Sequence, residues 1–225
     1  YWNRKYKPAT QPRDATIKRM LREQGIDAQS CNGSLLFEPW DIATQQGQPY
    51  KVFTPYWRNV LSHWRLPAPQ AAPEALAPHA ADSLALDDLE LAPTLDWDTG
   101  FWEHWQPGEA GALEALSVFE DGALRGYREQ RDLPDRVGTS RLSPHLHFGE
   151  IAPWRIAHAL EGLRSAGTDA DIDGYLRQLG WRDFAYHLLH HFPKTPTDNL
   201  NPRFDRFPWA TPSDAQLHAW QRGTT

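Results

Sequence analysis

Cysteine is all but absent: Cys31 is the only one in 225 residues. One thiol forms no internal disulfide, so a reducing compartment, the cytoplasm, is the natural setting. No apolar run approaches the length of a membrane span, and no signal-peptide pattern opens the chain. A membrane partner is therefore not expected. Positive charge is in deficit, with 23 Lys and Arg against 29 Asp and Glu and a net charge of −6. That argues against a uniformly basic nucleic-acid binder while leaving room for a local basic groove. There is no P-loop, no Gly-x-Ser-x-Gly elbow and no zinc-protease helix. Methionine occurs once, at Met20, and the first residue is Tyr1. Residues 220–225 bring no closing element, so the sequence reads as a piece of a longer protein.

Proline and tryptophan are abundant, at 19 and 11 residues. The first predicts long irregular connections. The second predicts large flat surfaces, packed in a core or stacked on something flat. The length fits one large domain or two small ones. Residues 10–25 read as a helix, with Pro12 in its first turn, Ile17, Met20 and Leu21 on one face, and Gly25 as its stop. A strand end at 1–3 and a strand over 26–31, followed by an Asn32-Gly33 turn, flank it. Strand, helix, strand is an α/β pattern. Thr54-Pro55 predicts a capped helix running to about Trp64. Residues 66–96 are rich in proline and alanine and read as a connection. Beyond 96 the texture is helical: Leu113, Leu116 and Phe119 recur at helical spacing, Ser143-Pro144 predicts a cap and helix start, and Pro153 opens another helix. Ile172, Tyr175, Leu176 and Leu179 mark the clearest helix, over 172–190.

Two segments carry chemistry. In Gly138-Thr139-Ser140-Arg141-Leu142-Ser143-Pro144, three hydroxyls and a guanidinium precede a helix start. Such a segment is either an ordinary N-cap or a phosphate cradle. In the helix over 172–190, Tyr175, Gln178 and Arg182 share a face and Trp181 adjoins Gln178. That face either stacks on a flat ring and hydrogen-bonds its edge, or is a half-buried Trp with Arg182 reaching to solvent. His187 and His191 are four residues apart, yet no third metal ligand is evident, so no metal site is expected.

Taken together, the blocks resemble the photolyase/cryptochrome family. They are Tyr1-Trp2-Asn3-Arg4 with Arg13-Asp14, Tyr50 to Trp57, Tyr127 to Arg131 with Thr139 to Pro144, Gly180-Trp181-Arg182-Asp183-Phe184, and Trp220 to Thr224. Their order and spacing cover nearly the whole chain outside the proline-rich connection. They look most like a bacterial class I-like deoxyribodipyrimidine photolyase lacking both ends. The resemblance implies a mixed fold in three parts. Residues 1–64 would be the C-terminal part of an α/β (Rossmann-like) antenna-type domain, 65–110 an interdomain connection, and 111–225 the N-terminal part of an all-α FAD-binding domain.

The resemblance also implies roles. Tyr127, Thr139, Ser140, Arg141, Leu142, Ser143, Tyr175 and Gln178 would hold FAD. Arg131, Gln178, Trp181 and Arg182 would face DNA carrying a flipped pyrimidine dimer, with Gln178 and Trp181 closest to the chemistry. A folate-type or other antenna chromophore is a further expectation, since Asn3 lies near where some relatives bind a folate. A monomer is the family's usual form. Dimer photolyases commonly place Glu where this chain has Gln178. An amide both donates and accepts, whereas a carboxylate only accepts, and Gln there resembles (6-4) photolyases and animal-type cryptochromes. A cryptochrome-type photoreceptor without repair is therefore the alternative. The 225 residues alone are expected neither to hold FAD tightly nor to repair DNA.

Overall fold

A computed structural model describes residues 1–71, 73–75, 83–91 and 94–224. The chain starts with a parallel βαβ unit. β1 (Trp2–Asn3) pairs with β2 (Ser30–Cys31), and helix α1 (Thr10–Glu23) crosses between them. Pro12 sits in the first turn of α1, and Gly25 beyond its end adopts a left-handed φ of +77°. The strand predicted over 26–31 keeps only its last two residues in the ladder. Asn32 then makes the turn, its Oδ1 accepting from the backbone N–H of Ser34 and Leu35.

Helix α2 (Phe53–Ser62) lies where Thr54-Pro55 predicts it, but Val52 is its N-cap and no side chain caps it. Thr54 lies two residues past the cap position. The predicted connection lies partly outside the described residues. Its described parts carry only 3₁₀ turns at Asp87–Leu89 and Asp96–Phe101.

The helical part holds α3 (Glu109–Asp121), α4 (Tyr127–Gln130), α5 (Ser143–Phe148), α6 (Pro153–Glu161), α7 (Asp169–His191) and α8 (Asp214–Gln221). Helix α5 begins at Ser143 itself, so Leu142 is the N-cap and Ser143 is not. Helix α7 is the axis of the molecule. It packs on α2, α4 and α6, and its buried residues fall on more than one side. One core joins α2 to α7, from Phe53, Tyr56 and Trp57 on α2 through Leu116 and Phe119 on α3 to Ile156 and Leu160 on α6. Burying an average apolar side chain of this kind contributes about 2 kcal/mol.

Polar links fix the register of α7. Asp171 Oδ2 and Oδ1 accept from the N–H groups of Gly126 and Arg128, at 2.8 and 2.9 Å, and so cap α4 from across the interface. Asp183 Oδ2 accepts from the N–H groups of Leu36 and Phe37. His187 Nε2 accepts from Tyr50 N–H, which leaves Nδ1 to donate to the Pro39 carbonyl. The helical part is thereby tied to the segment that follows β2. No helix among the described residues is long and apolar enough to cross a membrane.

Candidate functional site

The hydroxyl segment and α7 meet. Ser140 Oγ and the Tyr175 hydroxyl lie 2.9 Å apart. Tyr175 is packed by Phe119 at 4.7 Å and edge-on by Tyr127 at 5.2 Å between ring centroids. Burial pushes the pKa of both tyrosines up, so both stay neutral phenols at physiological pH. Helix α4 holds Tyr127 because Asp171 caps it and because Gly138 lies against the backbone of Gln130. A Cβ at 138 would collide with the Gln130 carbonyl.

Thr139, Arg141 and Ser143 are exposed and Ser140 is half-buried, while Leu142 is fully buried in the core. Three polar side chains are thus held out by one apolar anchor. Arg141 adopts a left-handed φ of +54°, uncommon for a residue with a side chain. Its carbonyl accepts from Trp105 Nε1 at 3.2 Å. Thr139, Ser140 and Arg141 line a cleft of about 750 Å³, together with Trp105 and Phe119. Hydroxyls and a guanidinium beside an aromatic wall suit an anionic phosphate attached to flat rings. The residues present therefore fit FAD. His145, buried behind the cradle, places Nδ1 2.5 Å from Glu150 Oε2 and braces the short helix α5.

One helical turn beyond Tyr175, α7 presents Gln178 and Trp181. Gln178 is half-buried. Trp181 is 44 % exposed, and one face of its indole is stacked on Phe53, with centroids 3.6 Å apart and planes 10° from parallel. Among the described residues no second ring stacks on the indole. Arg182 is placed otherwise than its helical register predicts. Its guanidinium donates to the carbonyls of Ser34 and Leu146 and lies over the Tyr186 ring. It binds the βαβ side and α5 to α7 instead of reaching to solvent. Arg131 lies 5.9 Å above the Tyr127 ring and pairs with Asp132. His187 and His191 both turn toward the Pro39 carbonyl.

The structure adds Phe53, Trp105 and the Asp171 cap to the site predicted from sequence. Phe53 stands in the Tyr50–Trp57 block, but nothing local says that it lies under Trp181. The carboxylate of Asp171 in the first turn of α7 was a signal for a cap, although its partner is another helix.

Comparison with known proteins agrees with this geometry. The family model described as DNA photolyase matches residues 1–75, and that described as FAD binding domain of DNA photolyase matches residues 175–225. A deoxyribodipyrimidine photo-lyase of Agrobacterium fabrum is 42% identical over the whole chain, which covers 47% of that relative. Cryptochrome-2 of Arabidopsis thaliana is 31% identical over the whole chain, which covers 39% of it. The solved bacterial class III photolyase of Agrobacterium tumefaciens superposes with a TM-score of 0.86 at 42% identity, over 99% of this chain and 46% of that one. The chain spans about half the length of the photo-lyase relative it matches. The βαβ side and the stretch of α7 from Tyr175 to Arg182 fall within the matched regions, the relatives align over the whole chain, and the chain belongs to the photolyase/cryptochrome family.

Proposed function

We propose that the protein is a deoxyribodipyrimidine photo-lyase that binds FAD and repairs pyrimidine dimers in DNA under light. One observation carries this reading. A single rigid helix joins the hydroxyl cradle, through the 2.9 Å Ser140–Tyr175 contact, to the half-open Trp181 one and a half turns away. A cofactor and a flat substrate held at those two places would lie about 9 Å apart along the helix axis.

Thr139, Ser140 and Ser143 donate hydroxyl hydrogen bonds to the diphosphate of FAD, and Arg141 neutralises its charge. Leu142 is an anchor and offers only its backbone. Tyr127 and Tyr175, buried neutral phenols behind the cradle, would pack against bound FAD and exclude water. When bound, reduced FAD excited by light supplies the electron that opens the dimer and accepts it back. Trp181 stacks on the flipped dimer through its other face, and Gln178 holds a base edge through its amide. Arg182 acts as a positioning residue, because its guanidinium is spent on two carbonyls. Arg131 takes a backbone phosphate. The same reading assigns 1–64 to the C-terminal part of a Rossmann-like antenna-type domain, with a folate-type pigment near Asn3. It assigns 65–110 to the connection and 111–225 to the FAD-binding part, in a cytoplasmic monomer.

The neutral amide of Gln178 favours one second reading, a cryptochrome-type photoreceptor, since it lacks the carboxylate common in dimer photolyases. Blue-light assays of the natural full-length protein on oligonucleotides carrying cyclobutane or (6-4) dimers decide between them. Light-dependent loss of either lesion supports repair, and Gln178→Glu shifts the preference toward cyclobutane dimers. Flavin photoreduction with both lesions intact contradicts repair and supports the photoreceptor.

A further inference from the structure

The backbone of Arg141 is strained where the cradle needs it. Among the described residues other than glycine, only Glu90 shares its positive φ. A residue with a side chain keeps such a conformation where its surroundings over-determine it. Both neighbours of Arg141 are held, Ser140 against the Tyr175 hydroxyl and Leu142 in the core. The peptide between Arg141 and Leu142 is held at both of its polar ends. Leu142 N–H donates to Ser140 Oγ at 3.3 Å, and the Arg141 carbonyl accepts from Trp105 Nε1 at 3.2 Å. The first bond is local. The second comes from 36 residues away.

Trp105 can give that bond because it is itself placed. Its backbone N–H donates to the Phe101 carbonyl at 2.9 Å, and the Phe101 ring meets its indole edge-on at 6.4 Å. One residue on, the Gln106 carbonyl lies against Gly111 of α3, where a Cβ would collide with it. Gly108, with a φ of +94°, turns the chain into α3, and Glu109 at the start of α3 pairs with Arg155 of α6 at 2.5 Å. Trp105 thus reaches the cradle from the segment assigned above to the connection, on a footing built by α3 and α6. One net hydrogen bond and one left-handed residue are of similar size and opposite sign. Without the indole N–H the strain is unopposed, the 141–142 peptide can rotate, and the guanidinium is re-aimed relative to Thr139 and Ser140, its neighbours in the cleft.

We propose that Trp105 is a positioning residue of the flavin cradle: its indole N–H fixes the Arg141–Leu142 peptide and so aims the Arg141 guanidinium at the diphosphate. This rests on the reading of Thr139 to Ser143 as the diphosphate cradle, and it makes the connection a part of cofactor binding.

The test titrates FAD into the deflavinated natural full-length protein, follows flavin fluorescence, and repeats the titration over a series of salt concentrations. Trp105→Phe keeps an aromatic ring and removes the N–H donor. It is expected to weaken FAD binding about 2- to 12-fold, the equivalent of one hydrogen bond. It should also flatten the salt dependence, because less of the attraction is then between charges. A misfolded fraction lowers the number of sites and leaves the salt dependence of the remainder as it was, so the slope separates positioning from damage to the fold. Arg141→Gly removes the cation and the left-handed strain together and should weaken FAD binding by itself. Added to Arg141→Gly, Trp105→Phe should cost nothing more, since the cycle isolates the coupling between the two residues. A loss by the same factor in both backgrounds, or a Trp105→Phe variant with wild-type affinity and slope, overturns the positioning role and leaves the cradle standing on the loss in Arg141→Gly. An Arg141→Gly variant that binds FAD as the wild type does overturns the cradle reading as well.

Discussion

Gly180 decides whether the aromatic platform can exist. It sits in the middle of α7, where glycine costs about 1 kcal/mol relative to alanine. A Cβ there would run into the six-membered ring of Trp57, which is buried and held by Phe53 and Trp64. Gly180→Ala is therefore expected to destabilise the fold by about 1–3 kcal/mol despite its better helix propensity. Urea unfolding checks it, and a gain in stability would show that Trp57 yields freely. The placement of the candidate residues was legible in the sequence: Tyr175, Gln178 and Trp181 lie on α7, the helix that the pattern assigns them. Partners were less so. Arg182 has the register of a surface cation, but the carbonyls that claim it belong to Ser34 and Leu146, far away along the chain. Ser143 looked like a cap because its side chain is the right kind. Ser143 is already the first residue of the helix, so its hydroxyl lies past the cap position.

At the scale of elements, α7 meets the segment after β2 through two buried titratable groups that oppose each other. Burial raises Asp183 to about 7, against the favourable Phe37 and Leu36 hydrogen bonds and Arg182. Burial also lowers His187 to about 4, with His191 adding to it. Between about pH 4 and pH 6.5 the folded state thus keeps a proton on Asp183 that the unfolded chain has shed, and lacks one on His187 that the unfolded chain holds. Rising pH removes stability through the first group and restores it through the second, so the two nearly cancel. Asp183→Asn keeps an oxygen to accept from Leu36 and Phe37 and removes the acid. Its stability should then rise with pH across that window, by on the order of 3 kcal/mol, with His190, also lowered by burial, adding in the same sense. Thermal melts from pH 4 to 7 read this directly. A variant whose profile runs parallel to the wild type would show that Asp183 is ionised in the fold throughout. The helix itself was predictable over 172–190 and extends to 169–191. Its second buried side was hidden, since a helix enclosed by neighbours shows no single clean stripe.

For the molecule as a whole, the strand-helix-strand order at the start predicted an α/β unit, and the structure has one, its parallel pair only two residues long in each strand. Local signals place elements well. They say nothing about which elements meet, and the site is made by meetings: α2 brings Phe53 under Trp181, and the 139–143 segment brings Ser140 to Tyr175. The central claim is that α7 couples a flavin cradle to a stacking wall for damaged DNA. It is tested most directly by comparing light-driven dimer loss in the flavin-loaded full-length protein and its Trp181→Ala variant, each with flavin content measured per chain. Stacking one base on an aromatic ring is worth about 1–3 kcal/mol. Equal flavin content and roughly 5- to 150-fold weaker binding of dimer-bearing DNA are expected in the variant, with repair at low substrate falling in step. Unchanged repair by Trp181→Ala, with flavin in place, would contradict it.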